Sequence, residues 1–322
     1  MEFSFKSILE SILVGVAATL AGMLLYGIPI VNLLLLLWPA PFILLGLKRG
    51  PAYGVLSAVL TGGIICFFDL YLGLISFVFI IFPVLLFILA IKQRFKSFEC
   101  VALGAFAGLI SVLLTFKVLS HAVGQNFLEY LWETIRNFFV NGKLDFGSIL
   151  EMYYQAGLIK DPLTDVQLAE MVIEQLKLLI PGMILVFSVV YSGLNFLVVR
   201  WIGGRTLKIA VPYVPSFGNW ALPRGMGRGF VAILFISMLG TNSGWGGFVY
   251  VFAALFMLFH FLFGLQGFAV VEFFLRAFRI PAALRVLILA VAFFFFQVMT
   301  VIGVAEQIFG LRRAYNNRIR WV

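Results

Sequence analysis

The chain has 322 residues, of which 63% are hydrophobic and only 11% charged, with a net charge of +9. A water-soluble domain carries about 25% charged residues, so this composition cannot clothe a soluble surface and requires that lipid face much of the chain. The excess of base does not indicate nucleic acid, because the Lys and Arg residues gather at the ends of apolar runs, as the positive-inside rule expects.

In chain order, the first apolar run covers residues 7–26. Its basic flank is thin, only Lys6, and further spans follow at once, so it reads as a retained span and not a cleaved leader. Gly27 and Pro29 make a turn into span two, residues 30–47, where Pro39 and Pro41 remove backbone donors and should kink the helix. Lys48 and Arg49 close it on the cytoplasmic side. Span three (51–68) ends at Asp69, span four (70–91) at Lys92, Arg94 and Lys96, and span five covers 100–119.

The long polar insert, residues 120–177, holds eight acidic residues against Arg136, Lys143, Lys160 and Lys177, which suits the outer side. Phe127, Leu128, Leu131, Trp132, Ile135, Phe138 and Phe139 recur at helical spacing and predict an amphipathic surface helix. Thr164 and Gln167 form a capping box that opens a second helix, running through Met171 and Leu176 toward span six. The two are expected to fold over the outer mouth.

Span six (178–201) ends near Arg200, Arg205 and Lys208, and a Pro- and Gly-rich linker follows over 209–228. Spans seven (230–239, short), eight (248–275) and nine (286–309) complete the count. The expected fold is all-α: a polytopic transmembrane bundle of about nine spans, or eight if the seventh is re-entrant. Its parts are a six-span domain (1–205) and a C-terminal piece (206–322). The N-terminus is expected in the cytoplasm.

No catalytic signature is present: the sequence has no HExxH, G-x-S-x-G or Walker lysine loop, and only two histidines, His121 and His260. An enzyme is therefore not expected, nor a metal or other cofactor. Two cysteines, Cys66 and Cys100, are too few for a disulfide framework and are expected as free thiols. Four groups of residues stand out. Ala17 and Ala21, and Ala18 and Gly22, repeat small side chains four apart, a spacing that lets another helix approach, either within the bundle or from a partner subunit. Asp69, Lys117 and His121 bring both charge signs to the predicted outer face, as a small-solute site would, although headgroup-level residues look the same. Trp220, Arg224 and Arg228 combine an interfacial aromatic with phosphate-seeking cations and suit membrane lipid. Asn195, His260, Gln266, Glu272 and Gln297 need partners inside the bilayer, and Glu272 has Arg276 one turn away.

The plan resembles the YybS-like family of bacterial membrane proteins. The resemblance rests on the Pro-containing second span ending in Leu47-Lys48-Arg49-Gly50, the linker motif Trp220-Ala221-Leu222-Pro223, Leu265-Gln266-Gly267 in span eight, and Gly310-Leu311 before an Arg-rich tail. That family is similar in turn to the S components of energy-coupling-factor transporters, six-helix proteins that capture micronutrients. Their first helix meets a coupling subunit through an Ala-x-x-x-Ala face, and Ala17 and Ala21 match that spacing. The resemblance implies a non-enzymatic binding or transport component of the bacterial cytoplasmic membrane, with an unknown solute and a partner carrying the ATPase. The alternatives are a membrane scaffold or assembly factor and, further off, a lipid-handling enzyme.

Overall fold

The computed structural model describes residues 4–141, 152, 154–156, 164–223, 225–243 and 246–319. Among them are twelve α-helices and no strand. The chain divides into two compact units, one of residues 1–176 and 187–213, the other of residues 177–186 and 214–322.

The N-terminal unit contains α1 (Phe5–Tyr26), a 3₁₀ segment (Val31–Leu37), α2 (Pro39–Arg49), α3 (Pro51–Phe68), α4 (Leu70–Lys92), α5 (Ser97–Val123) and α6 (Phe127–Asn141). It also holds both flanks of α7 (Asp165–Arg205). Lipid tails are as apolar as these helices, so close packing and interhelical hydrogen bonds must hold them together. Phe42, Ile80, Val84, Phe87, Tyr191 and Phe196 are among its fully buried core residues.

Two of the hydrogen bonds go where proline has left a carbonyl without a donor. Pro83 lies inside α4, so the Phe79 carbonyl four residues earlier has no backbone N–H to accept. The Tyr191 hydroxyl of α7 donates to it at 2.7 Å. At the end of the 3₁₀ segment the residue three beyond Leu36 is Pro39, and Asn195 Nδ2 donates to the Leu36 carbonyl, also at 2.7 Å. Tyr191 and Asn195 stand one turn apart, so a single face of α7 repairs both sites. The expected kink of span two is thus a change from 3₁₀ to α-helix, with Pro39 in the first turn of α2, where a missing N–H costs nothing.

An ion pair ties α1 to the end of α2. Arg49 meets Glu10 with both prongs, Nε to Oε2 at 2.7 Å and Nη2 to Oε1 at 2.5 Å. At the same end of the unit, Ser97 Oγ donates to the Tyr213 carbonyl, and the Arg200 guanidinium lies 5.1 Å from the centre of the Tyr213 ring.

The insert differs from expectation in one respect. The first amphipathic helix is present as α6, with Phe127, Leu131, Trp132 and Ile135 half-buried and Glu129, Glu133 and Phe138 exposed. The second is not a separate surface helix. Its Thr164–Gln167 capping box opens α7, which runs unbroken for 41 residues through span six. Such a helix is about 62 Å long, twice the ~30 Å hydrocarbon layer. Charges at Glu170, Glu174 and Lys177 suggest a boundary in the sequence, but outside the hydrocarbon they do not interrupt a helix. Arg136 of α6 bonds Glu170 of α7 at 2.6 and 2.9 Å.

The C-terminal unit contains the middle turns of α7, α8 (Met226–Asn242), α9 (Gly247–Ala277), α10 (Ala282–Phe293), α11 (Phe296–Phe309) and α12 (Leu311–Ile319). It corrects the span count. Among the described residues, seven helices are long and apolar enough to cross a membrane, and eight if a bent pair counts as one, fewer than the nine expected. The seventh expected span is the 17-residue α8, and the ninth is α10 and α11, bent by 105°. The bend, at a run of four phenylalanines, seats Phe296 over Gly264 of α9 and carries α11 across α9 at glycines. A Cβ on Gly267 would stand 1.8 Å from the Met299 carbonyl oxygen, and one on Gly303 would stand 1.9 Å from that of Phe263. Only glycine permits backbones this close.

Candidate functional site

The linker that opens the C-terminal unit is held by side chains rather than by secondary structure. Gln266 of α9 accepts from the Leu222 N–H at 3.2 Å, and Gln307 of α11 donates to the Leu222 carbonyl at 3.2 Å. The two glutamines bond each other at 3.2 Å, and Gln266 Nε2 also donates to the Gly303 carbonyl at 3.1 Å. Arg312 of α12 is 8% exposed. Its Nε donates to Glu306 Oε1 at 3.0 Å, and its Nη1 donates to the carbonyls of Gly218 and Trp220 at 2.7 and 2.9 Å. Each buried polar group in this set has a partner, as a low-dielectric interior demands.

This scaffold frames a groove of about 1610 Å³ between α8, α9, α11 and α12. It exceeds the ~300–1,000 Å³ usual for small-molecule clefts. Its lining grades in polarity along α8. One end carries Arg228, Arg313, Asn316 and Asn317 with the Gln266–Gln307 pair. Val231 and Phe235 line the groove farther along α8 and Phe259 farther along α9, whereas Phe263, Phe273, Ile308 and Phe309 line it beside the polar groups, the Phe263 ring facing Gly227 and Gln307. Arg228, Val231 and Phe235 share one face of α8 by helical spacing, so the lining turns from cationic to apolar over about 10 Å.

The residues singled out in the sequence are distributed as follows. Asp69 caps α4, its Oδ1 accepting from the Leu72 N–H at 2.9 Å. The His121 ring lies 6.4 Å from that of Tyr71, and Lys117 is exposed one turn earlier on α5. None of these three lines the second cavity, an apolar space of about 110 Å³ beside Gly22, Trp38 and Ser76. The two small-residue pairs of α1 fall on different faces. Ala18 and Gly22 point inward, where Trp38 donates to the Ala18 carbonyl at 3.0 Å and its ring covers Gly22. Ala17 and Ala21 are exposed.

In the linker, Trp220 gives its indole N–H to the Pro215 carbonyl at 3.0 Å and packs edge-on against Phe217, Arg228 enters the groove, and Arg224 lies outside the described residues. Of the intramembrane polar set, Glu272 bonds Arg276 at 2.6 Å and also Arg285 at 2.7 Å, and His260 bonds the Phe256 carbonyl. Gln297 is exposed. Cys66 and Cys100 are free thiols.

Sequence reading missed Glu306, Gln307 and Arg312. The signal was there: an adjacent Glu-Gln pair interrupts an otherwise apolar run, and such polar groups in a span call for a partner. The tail arginines read most simply as topology markers, which hid the inward turn of Arg312.

Helices of this length and hydropathy, joined by hydrogen bonds to orphaned carbonyls and by glycine crossings, define a polytopic α-helical integral membrane protein. The chain belongs to the DUF2232 family, described as a predicted membrane protein, whose family model matches residues 15–306. Neither a curated protein nor a solved structure matches it.

Proposed function

We propose that this protein is a non-enzymatic binding or transport component of the cytoplasmic membrane, taking an amphipathic solute in the groove of its C-terminal unit. The observation that carries the reading is the graded lining, a cationic and amide-bearing end continuing along α8 into Val231 and Phe235. Ligand sites combine apolar walls with a few convergent polar groups in this way. The Asp69–Lys117–His121 cluster is the alternative seat for a solute.

Energy for transport would come from a partner subunit, as the resemblance to YybS-like proteins and to S components implies. The exposed Ala17 and Ala21 support a docking face on α1, with the N-terminus in the cytoplasm by the distribution of basic residues. A scaffold that binds another membrane protein and no solute is the second reading, favoured by the long exposed apolar face of α1, where Leu13, Leu20 and Leu24 are 60%, 59% and 71% exposed.

Two measurements test the proposal. Melting of the purified protein against a panel of amphiphiles should show stabilisation by RT ln(1 + [L]/Kd) for a binder and no shift for a scaffold. The Ala17→Leu, Ala21→Leu variant should melt like the wild type, because both positions are exposed, yet lose any co-purifying ATPase. Unchanged recovery of the partner would rule out the α1 face.

A further inference from the structure

Resting on the groove as the binding site, we infer that its occupant is a lipid with an anionic phosphate headgroup, read by Arg228 and Arg313. The argument is one of charge left over. The groove is lined by three arginines, Arg228, Arg312 and Arg313, and one acid, Glu306. Glu306 is committed on both oxygens, Oε1 to the Arg312 guanidinium and Oε2 to the Arg312 backbone N–H at 3.2 Å. Glu272, a buried acid of this unit, is committed to Arg276 and Arg285.

Among the described residues, Arg228 and Arg313 form no ion pair and no hydrogen bond, and both side chains are exposed at the groove. Two unpaired guanidinium groups beside an apolar trough are poorly served by a neutral ligand. A phosphate serves them well. Its several acceptor oxygens accept paired N–H donors from arginine, the geometry in which guanidinium surpasses ammonium. Asn316 and Asn317 line the same end and bring amide N–H groups for the remaining oxygens.

The apolar end fixes the rest of the ligand. From Arg228, the wall of α8 continues through Val231 and Ala232 to Phe235, and α9 contributes Phe259. Free phosphate would leave this surface bare. A hydrocarbon chain attached to the phosphate covers it, removing apolar area from any water that would otherwise enter.

The test uses the full-length protein in detergent, with lipid retention read by native mass spectrometry. The probes are phosphatidylglycerol, phosphatidylcholine of the same chains and inorganic phosphate. The variants are Arg228→Gln with Arg313→Gln, and Ala232→Trp, which fills the groove from an exposed position. The expected result is one retained phosphatidylglycerol, preferred over phosphatidylcholine by roughly tenfold. That preference should be lost in the double glutamine variant, and retention of either lipid should be lost in Ala232→Trp.

Equal retention of the two lipids, with both abolished by Ala232→Trp, would keep the groove as a binding site and overturn the phosphate inference. Displacement of phosphatidylglycerol by millimolar inorganic phosphate would assign the arginines to a free anion and overturn the lipid. Retention unaffected by Ala232→Trp, or absent throughout, would remove the groove reading together with the inference drawn from it.

Discussion

Replacing Gly303 by alanine adds one methyl group where α11 crosses α9. That carbon would stand 1.9 Å from the Phe263 carbonyl oxygen and 3.0 Å from the Gly267 nitrogen. Both neighbours are backbone and cannot swing aside, so the helices must part by more than about 1 Å to reach ordinary contact. Overfilling of this kind costs about 1–3 kcal/mol. Parting also stretches the 3.1 Å bond from Gln266 Nε2 to the Gly303 carbonyl, adding about 1 kcal/mol. Against this, alanine is a better helix former than glycine by about 1 kcal/mol. The balance is a loss of about 2 kcal/mol, or a fall of roughly 4–8 °C in melting temperature. Gly63 is the control: a Cβ there meets nothing within 4 Å, so Gly63→Ala should keep the propensity gain and melt no lower than the wild type. Tryptophan-fluorescence melting of the three proteins in one detergent provides the comparison. A Gly303→Ala protein as stable as the wild type would show that the crossing is not as close as described.

Three further outcomes are expected. Arg312→Gln should cost about 3 kcal/mol, because it strands half-buried Glu306 and two linker carbonyls. Arg313→Gln, at an exposed side chain, should stay within about 0.5 kcal/mol; melting temperatures that fall equally would contradict the distinction. Asn195→Leu should lose about 1–3 kcal/mol by orphaning the Leu36 carbonyl, whereas Gln297→Leu should be near neutral, and the two melting curves decide it. A double-mutant cycle on Glu10 and Arg49 should give a favourable coupling that shrinks with added salt. Zero coupling at low salt would dismiss the pair.

The spans of the N-terminal unit were legible because the chain punctuates them chemically. Gly27 and Pro29, the Lys48-Arg49-Gly50-Pro51 turn and the Asp69 cap each interrupt an apolar run at a helix end, and α3 matches its expected bounds residue for residue. What could not be read was which helix meets which. A glycine in an apolar run looks the same whether it faces lipid, as Gly63 does, or receives a backbone, as Gly303 does. The repairs made by Tyr191 and Asn195 join residues more than 100 positions apart, and no local pattern connects them. The groove was partly legible, since Arg228 and Gln266 stood out. Its polar end also needs Gln307 and Arg312, whose direction depends on the bend before Phe296.

The composition of the C-terminal unit has a consequence for the order of synthesis. Residues 177–186 belong to it, but they lie in the middle of α7, and the remaining parts are residues 214–322. At 5–20 residues per second, that last stretch takes roughly 5–20 s to emerge from the ribosome. For that interval the Gly182 face of α7, which will later receive Met257 and Ala254, stands without its neighbours. The latest-made helices must therefore find a template inserted long before them. A nascent chain arrested near Tyr213 would expose that template to lipid or to a chaperone of the membrane.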